Sequence, residues 1–430
     1  MKRIEHASAL LKESYVSFVH SSGLRVFVYP KKLTSIYALF AVQYGSLDER
    51  FCLDGKEVAL PLGIAHFLEH KLFESENGSD AFSAFSALGA DANAYTSYNR
   101  TAYLFSCTEN FEAALGELLS FVTHPSFREE SVKREASIIA EEIRMYHDQP
   151  WERVYENMLR ALYRHHPVRH GICGTVASVK SITPKDLYCA YEAFYRPSNM
   201  ALIVCGDVDA DTVEGIVEEA LSQKEASTTR LTRVLSPDAE RVARAYTEAR
   251  MQVSKPIFSI GIKDACLLEN PHERLLRELS MSLLNEILFS QSGEFYNGLL
   301  ERGLLTPAFT VGYSASQSFA FDCLSGESEN PEAVLEALKE YVGKTCDTGL
   351  DPETVERCRR TLYADEVRAY DSTEEIANRL LSFAFDGTEM LSVAGLLLTI
   401  TKESLEELLR SFFFEDRFAL SVIRPLEETK

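Results

Sequence analysis

Nowhere in this chain do about 18 uncharged apolar residues run together, which argues against a membrane-spanning helix. Met1 to Lys12 holds no unbroken apolar core either, because charged residues and His6 interrupt it, so the segment does not read as a signal peptide. Cysteine pairs spaced C-x-x-C are missing. The nine cysteines, at 52, 107, 173, 189, 205, 266, 323, 346 and 358, are scattered and odd in number, a pattern of reduced, mostly buried thiols rather than a disulfide framework. Positive charge is the minority sign: 44 Lys and Arg face 65 Asp and Glu, a formal charge of −21. That balance repels nucleic-acid phosphates, suits a soluble surface and would favour basic peptides if any charged partner. The expected location is the cytoplasm.

What is present is enough for two cores. At 430 residues and 46% hydrophobic content, the chain suggests two domains of about 200 residues each. It also repeats itself. Glu109-Asn110-Phe111-Glu112-Ala113-Ala114-Leu115 returns 220 positions later as Glu329-Asn330-Pro331-Glu332-Ala333-Val334-Leu335. Ala140-Glu141-Glu142-Ile143-Arg144-Met145-Tyr146 returns at an offset of 224 as Ala364-Asp365-Glu366-Val367-Arg368-Ala369-Tyr370. Two diverged copies of one unit explain both matches.

The order of elements agrees. Strands are expected at Leu24 to Tyr29, Tyr37 to Tyr44, a pair across Asn93 to Cys107, and Met200 to Val204, with two helices from Glu109 to Tyr146. The second copy offers a strand at Ile257 to Ile262, a helix at Glu273 to Leu288, paired strands at Ala308 to Leu324, two helices, and a strand at Phe418 to Ile423. Each half thus reads as an α+β layer structure, a mainly antiparallel β-sheet with helices packed on one face. The expected division is 1–225 for the first repeat, 226–245 for a polar linker and 246–430 for the second.

The chemistry concentrates in His66-Phe67-Leu68-Glu69-His70. On a helix of about 100° and 1.5 Å per residue, His66 and His70 lie roughly 40° apart and about 6 Å along the axis, with Glu69 beside them. Two neutral nitrogens can then share one metal while a carboxylate faces the open coordination position. The spacing is H-x-x-E-H, the reverse of the commoner H-E-x-x-H. The equivalent stretch of the second copy, Leu283 to Phe289, has no histidine, so only the first half can hold the metal.

Two histidines and a water leave a zinc site one protein ligand short. Glu142 is the candidate. It shares a helix face with Glu135, seven residues earlier, while Glu141 lies about 100° round the helix. If one of Glu135 and Glu142 binds zinc, the other orients a ligand or contributes charge. A bland alternative pairs these glutamates with Arg134 and Arg144 on a solvated face. His165 and His166 precede Pro167 in a loop-like stretch that favours a turn or packing role over metal, and His147 stands where an imidazole meets the C-terminal helix dipole.

With these residues in hand, nearly the whole chain resembles the pitrilysin-type (inverzincin) metallopeptidases, which include insulin-degrading enzyme and mitochondrial processing peptidase, and most of all their small bacterial cytosolic members. The resemblance rests on His66 to His70, the following Lys71-Leu72-Phe73-Glu74, Gly89-Ala90-Asp91-Ala92-Asn93-Ala94-Tyr95-Thr96-Ser97, the helix from Glu135 to Tyr146, and Phe194-Tyr195-Arg196-Pro197-Ser198-Asn199-Met200. It implies one zinc ion per chain on His66, His70 and Glu142, Glu69 as general base toward a zinc-bound water, and Glu135 as a supporting acid. It also implies that Asn93 and Ala94 lie near a sheet edge that holds an extended peptide, an arrangement in which backbone groups bind by strand addition. One feature departs from the family. Complete members are similar in carrying an Arg and Tyr pair on a strand segment of a second unit. Here Ala308 to Leu324 contains Tyr313 but no arginine, and none occurs between Arg302 and Arg357. The expected active form is therefore a heterodimer with a paralogous subunit lacking H-x-x-E-H, closed around a chamber; the alternatives are a homodimer or an arginine supplied from elsewhere in the chain. The expected function is zinc-dependent endopeptidase action on peptides or unfolded segments. The alternatives are a scaffolding subunit without turnover and a maturation protease for one dedicated peptide.

Overall fold

The computed structural model describes residues 1–74, 81–222, 230–234 and 238–427. Of the expected linker, 226–229 and 235–237 lie outside the described residues. Contacts divide the chain into two compact units, neither continuous in sequence: 1–143 with 171–234 and 367–393, and 144–170 with 235–366 and 394–430.

The strands of the first unit are β1 Arg3–Ser8, β2 Glu13–Val19, β3 Arg25–Pro30, β4 Ile36–Val42, β5 Arg50–Leu53, β6 Lys56–Ala59, β7 Asp91–Thr96, β8 Thr101–Cys107, β9 Met200–Gly206 and β10 Leu231–Arg233. Seven form one sheet in the order β1-β2-β3-β9-β4-β8-β7, antiparallel except for β3 against β9. A small sheet, β10-β5-β6, stands apart from it. Each strand read from sequence is present within a few residues of its expected ends, as are helices Phe111–Thr123 and Glu129–His147. The β1–β2 hairpin is an addition; three of the four residues of its Arg3-Ile4-Glu5-His6 start are polar and three are exposed, so no apolar alternation announces it.

Strands β4 and β9 have no polar face, and the structure shows why. Phe40 and Val42 point into a core shared with Phe67 and Leu68 of helix Ile64–Leu72, while Leu39, Ala41 and Ile203 point the other way. That second face is closed by Ile376, Ala377, Leu380 and Leu381 of helix Thr373–Asp386, which comes from far along the chain. A strand buried on both faces reads as a continuous apolar run.

The second unit holds β11 Tyr246–Met251, β12 Ile257–Lys263, β13 Phe309–Ala315, β14 Ala320–Glu327 and β15 Phe418–Pro425, in the order β11-β15-β12-β14-β13. Only β11 and β15 run parallel. Helix Pro150–Leu162, from the first half of the sequence, packs on this sheet through Val154 against Ile257 and Ile423. Two mainly antiparallel sheets with packed helices are thus the α+β architecture expected.

Asp322 on β14 is fully buried. One carboxylate oxygen accepts from Asn285 Nδ2 at 2.8 Å and from the Cys323 amide at 3.2 Å; the other has no partner. Burial pushes this carboxyl from 3.8 up to about 7. The folded chain therefore holds a proton that the unfolded chain releases between those values, so this group lowers stability as pH rises through that window. Asp322→Asn should flatten the dependence of Tm on pH between 3.8 and about 7 and exceed the wild type in Tm above that range. Parallel profiles would show that the carboxyl titrates normally.

Candidate metal centre

Helix Ile64–Leu72 starts from Gly63, whose φ of 84° lies in the left-handed region that glycine tolerates. A Cβ at Gly63 would stand 2.3 Å from the carbonyl oxygen of Cys173, and one at Gly174, at φ 76°, would stand 2.5 Å from that of Leu62. Backbone packs on backbone where the helix begins. Gly63→Ala should cost on the order of 3 kcal/mol, read as a lower urea midpoint. An unchanged midpoint would mean that the 171–174 loop yields.

The helix is buried almost all round, so its polar groups must find partners within the protein. Lys71 is fully buried and pairs with Glu74, which Arg128 also meets at 2.6 Å and Arg134 at 3.2 Å. This network joins the end of the motif helix to the start of helix Glu129–His147. It also places Arg134 on Glu74 rather than on Glu135.

Helix Glu129–His147 presents Glu135 and Glu142 to the motif. Glu135 Oε1 lies 3.0 Å from His70 Nδ1. Glu142 reaches both histidines: Oε1 is 3.7 Å from His66 Nε2, and Oε2 is 3.6 Å from His70 Nε2. These three donors lie within 4.8 Å of one another, and among the described residues no other set of three His, Cys, Asp or Glu does. For a tetrahedral zinc with bonds of about 2.0–2.2 Å, donors stand about 3.4 Å apart, close to the two distances from Glu142 to the histidines. The donor chemistry also fits. Two imidazoles and a carboxylate are a borderline-soft set of the kind zinc takes. Glu135 fixes the His70 proton on Nδ1 and leaves Nε2 free to ligate.

Charge and burial tune the group. Burial, helped by His70, pushes the His66 imidazole down to about 3, so it is neutral and its lone pair available. Burial works against a proton on His70 too, but Glu135, Glu69 and Glu142 outweigh it and raise its pKa. Glu69 is 8% exposed. Burial lifts its carboxyl above the usual range, while the Thr96 hydroxyl, donating to Oε2 at 2.5 Å, and His70 pull it partly back.

Asn93 and Ala94 fall on β7, the edge strand of the large sheet, and Thr96 ends the same strand. Asn93 is exposed, and its Oδ1 accepts from the Ala94 amide at 2.8 Å. Two residues of the site were not singled out from sequence. Thr96 stands two places beyond Ala94, on the same face of an alternating strand, and that period was the signal that could have found it. Cys173, with Sγ 3.9 Å from His66 Nε2, carries no such signal.

The weaker histidines go elsewhere. His166 is buried between the rings of Tyr163 and Phe319, and its Nδ1 accepts from the Val168 amide. His147 Nε2 lies 3.9 Å from Glu156. In the second unit, Ser282, Asn285 and Glu286 line a cleft of 530 Å³ beside β13 that contains no histidine. Tyr313 on β13 donates to Asp264 Oδ2 at 2.6 Å. Neither β13 nor β14 holds an arginine, yet Arg277 of helix Pro271–Phe289 meets both oxygens of the same carboxylate, at 2.7 and 3.0 Å.

Comparison with known proteins decides the family. A relative in Bacillus subtilis, the uncharacterized zinc protease YmfH, is 37% identical over 99% of both chains. The chain belongs to peptidase family M16. Its residues 53–176 match the model for insulinase, peptidase family M16, and residues 181–362 match the peptidase M16 inactive domain. A second Bacillus subtilis relative, the uncharacterized zinc protease YmxG, is 25% identical over 84% of this chain and 88% of its own. A crystal structure described as an M16-like peptidase from Alicyclobacillus acidocaldarius superposes with a TM-score of 0.92 at 32% identity, covering 96% of this chain and 98% of the other. A protease from Helicobacter pylori shares the fold with a TM-score of 0.84 at 18% identity, over 96% of this chain and all of its own. The pitrilysin-type resemblance is confirmed. The metal-capable cluster lies inside the insulinase match, and the stretch without histidine inside the inactive-domain match. No single described helix is long and apolar enough to cross a membrane.

Proposed function

We propose that this M16 protein is a zinc-dependent endopeptidase. The observation that carries the reading is the convergence of His66, His70 and Glu142, with Glu69 beside them. Zinc held by these three residues supplies Lewis acidity to a peptide carbonyl and to a water. The rest is the work of the chain. Glu69 takes a proton from the attacking water and returns it to the leaving amide nitrogen. Thr96 holds Oε2 of Glu69 in place, and burial raises the proton affinity of the carboxyl. Glu135 orients His70. An extended substrate adds to the open side of β7, where Asn93 swings away so that the Ala94 amide can donate to it instead.

Strand addition reads backbone rather than side chains, so the substrates are peptides or unfolded segments, enclosed in a chamber that excludes folded proteins. The second strand pair without an arginine supports a paralogous partner lacking H-x-x-E-H, with a homodimer as the other arrangement. Arg277, already beside Tyr313, is the in-chain candidate for the family's arginine. None of the nine cysteines forms a disulfide, which supports a cytoplasmic location. To test this reading, a mixed pool of unstructured peptides and a tightly folded protein are offered to the zinc-loaded chain, alone and with the paralogue. Internal cleavage of peptides only is the expected result. Cleavage of the folded protein would contradict the chamber, full activity alone would remove the need for a paralogue, and no cleavage with both subunits would leave the scaffolding reading.

A further inference from the structure

The sulfur of Cys173 has no place in the chemistry above, yet it lies 3.9 Å from His66 Nε2, the ring nitrogen that faces Glu142. Its position is built into the fold. Gly63 and Gly174 let the 171–174 loop press backbone to backbone on the entry of the motif helix, which sets Cys173 beside the first turn carrying His66. His66 is itself 8% exposed, and its Nδ1 is buried without a partner, so the ring is engaged only on its Nε2 side, toward Glu142 and the thiol. Across a tetrahedral zinc, a nitrogen and a sulfur ligand stand about 3.6 Å apart, little less than the distance present. Cys173 stays outside the set of donors within 4.8 Å of one another, so its sulfur must rotate toward His70 and Glu142 to share a metal with them.

We infer that Cys173 is an intramolecular latch on the metal centre: in the absence of peptide its sulfur takes the coordination position left open by His66, His70 and Glu142. This inference rests on the zinc reading of those three residues. On closing, a zinc–sulfur bond forms, the S–H bond breaks, a solvent molecule leaves and the proton passes to bulk water. On opening, as an extended peptide adds to β7, the zinc–sulfur bond breaks, a solvent molecule returns to the position, and the sulfur recovers a proton from bulk water as the thiol. No oxidant is involved. Four protein ligands make a closed, structural type of site, and three make an open, catalytic one, so the latch switches between the two.

The test is cobalt(II) in place of zinc in the full chain, because thiolate ligation gives a near-ultraviolet sulfur-to-cobalt charge-transfer band that nitrogen and oxygen ligands do not. The wild type should show the band, and Cys173→Ser should lose it while holding the same amount of cobalt. In the Glu69→Gln background, an unstructured peptide should abolish the band. Identical spectra for wild type and Cys173→Ser, both with cobalt bound, would overturn the latch and leave the metal site standing; a band that persists with saturating peptide would overturn the opening. Failure of the wild type to bind cobalt would overturn the metal reading and the latch with it. Should Cys173→Ser not fold, alkylation of Cys173 by iodoacetamide in the wild type, followed by mass spectrometry, answers the same question. Zinc should slow labelling, and equal rates with and without zinc would overturn the proposal.

Discussion

Glu69→Gln is expected to keep its zinc at wild-type stoichiometry and to lose about 10²- to 10⁴-fold in kcat, the range that a positioned acid–base group supplies. The substitution preserves size and the acceptor for the Thr96 hydroxyl, so the site should hold its shape. What disappears is a carboxylate that can carry a proton between water and leaving nitrogen. The opposing result is as informative. Loss of zinc with the carboxylate would place Glu69 among the ligands, and unimpaired turnover would require another base. Metal content and kcat measured on the same sample separate the three.

Glu142→Gln should have the second large effect, on affinity for zinc. Glu142 is the acidic residue that faces both Nε2 atoms, at 3.7 and 3.6 Å. Removing a residue that only orients a ligand costs about 10- to 100-fold in metal affinity, so the loss of a ligand should exceed that. Glu135→Gln, which keeps an acceptor for His70 Nδ1, should fall within or below that range. Glu141→Gln should leave affinity unchanged, since the residue is exposed and outside the donor set. Competition titration with a zinc chelator ranks the three variants. If Glu141→Gln releases zinc and Glu142→Gln does not, the third ligand is misassigned.

The centre was legible because its parts are periodic. Offsets of three and four along one helix bring His66, Glu69 and His70 together, and an offset of seven on another places Glu135 and Glu142 side by side on Nδ1 and Nε2 of His70. Strand ends were legible for the same reason, from apolar runs such as Ile36–Val42 and Met200–Gly206. What could not be read depends on contacts between distant segments. Helix Thr373–Asp386 closes the back of the first sheet, and Pro150–Leu162 covers the second, so contact divides the chain differently from residue order. Arg277 reaches Tyr313 through a shared carboxylate, Asp264, where a search for an arginine along β13 and β14 finds none. Cys173 reads in sequence as one scattered thiol among nine; the close approach allowed by Gly63 and Gly174 is what brings it to His66.

The most direct test of the account is cleavage of an unstructured-peptide pool followed through removal and return of zinc, with metal quantified at every step and the proposed paralogous subunit added throughout. The account predicts that cleavage falls in proportion to zinc lost to the chelator, returns when zinc is restored, and stays at least about 100-fold slower in Glu69→Gln at full zinc occupancy. Cleavage that survives complete removal of the metal, or that Glu69→Gln performs as well as the wild type, would contradict it.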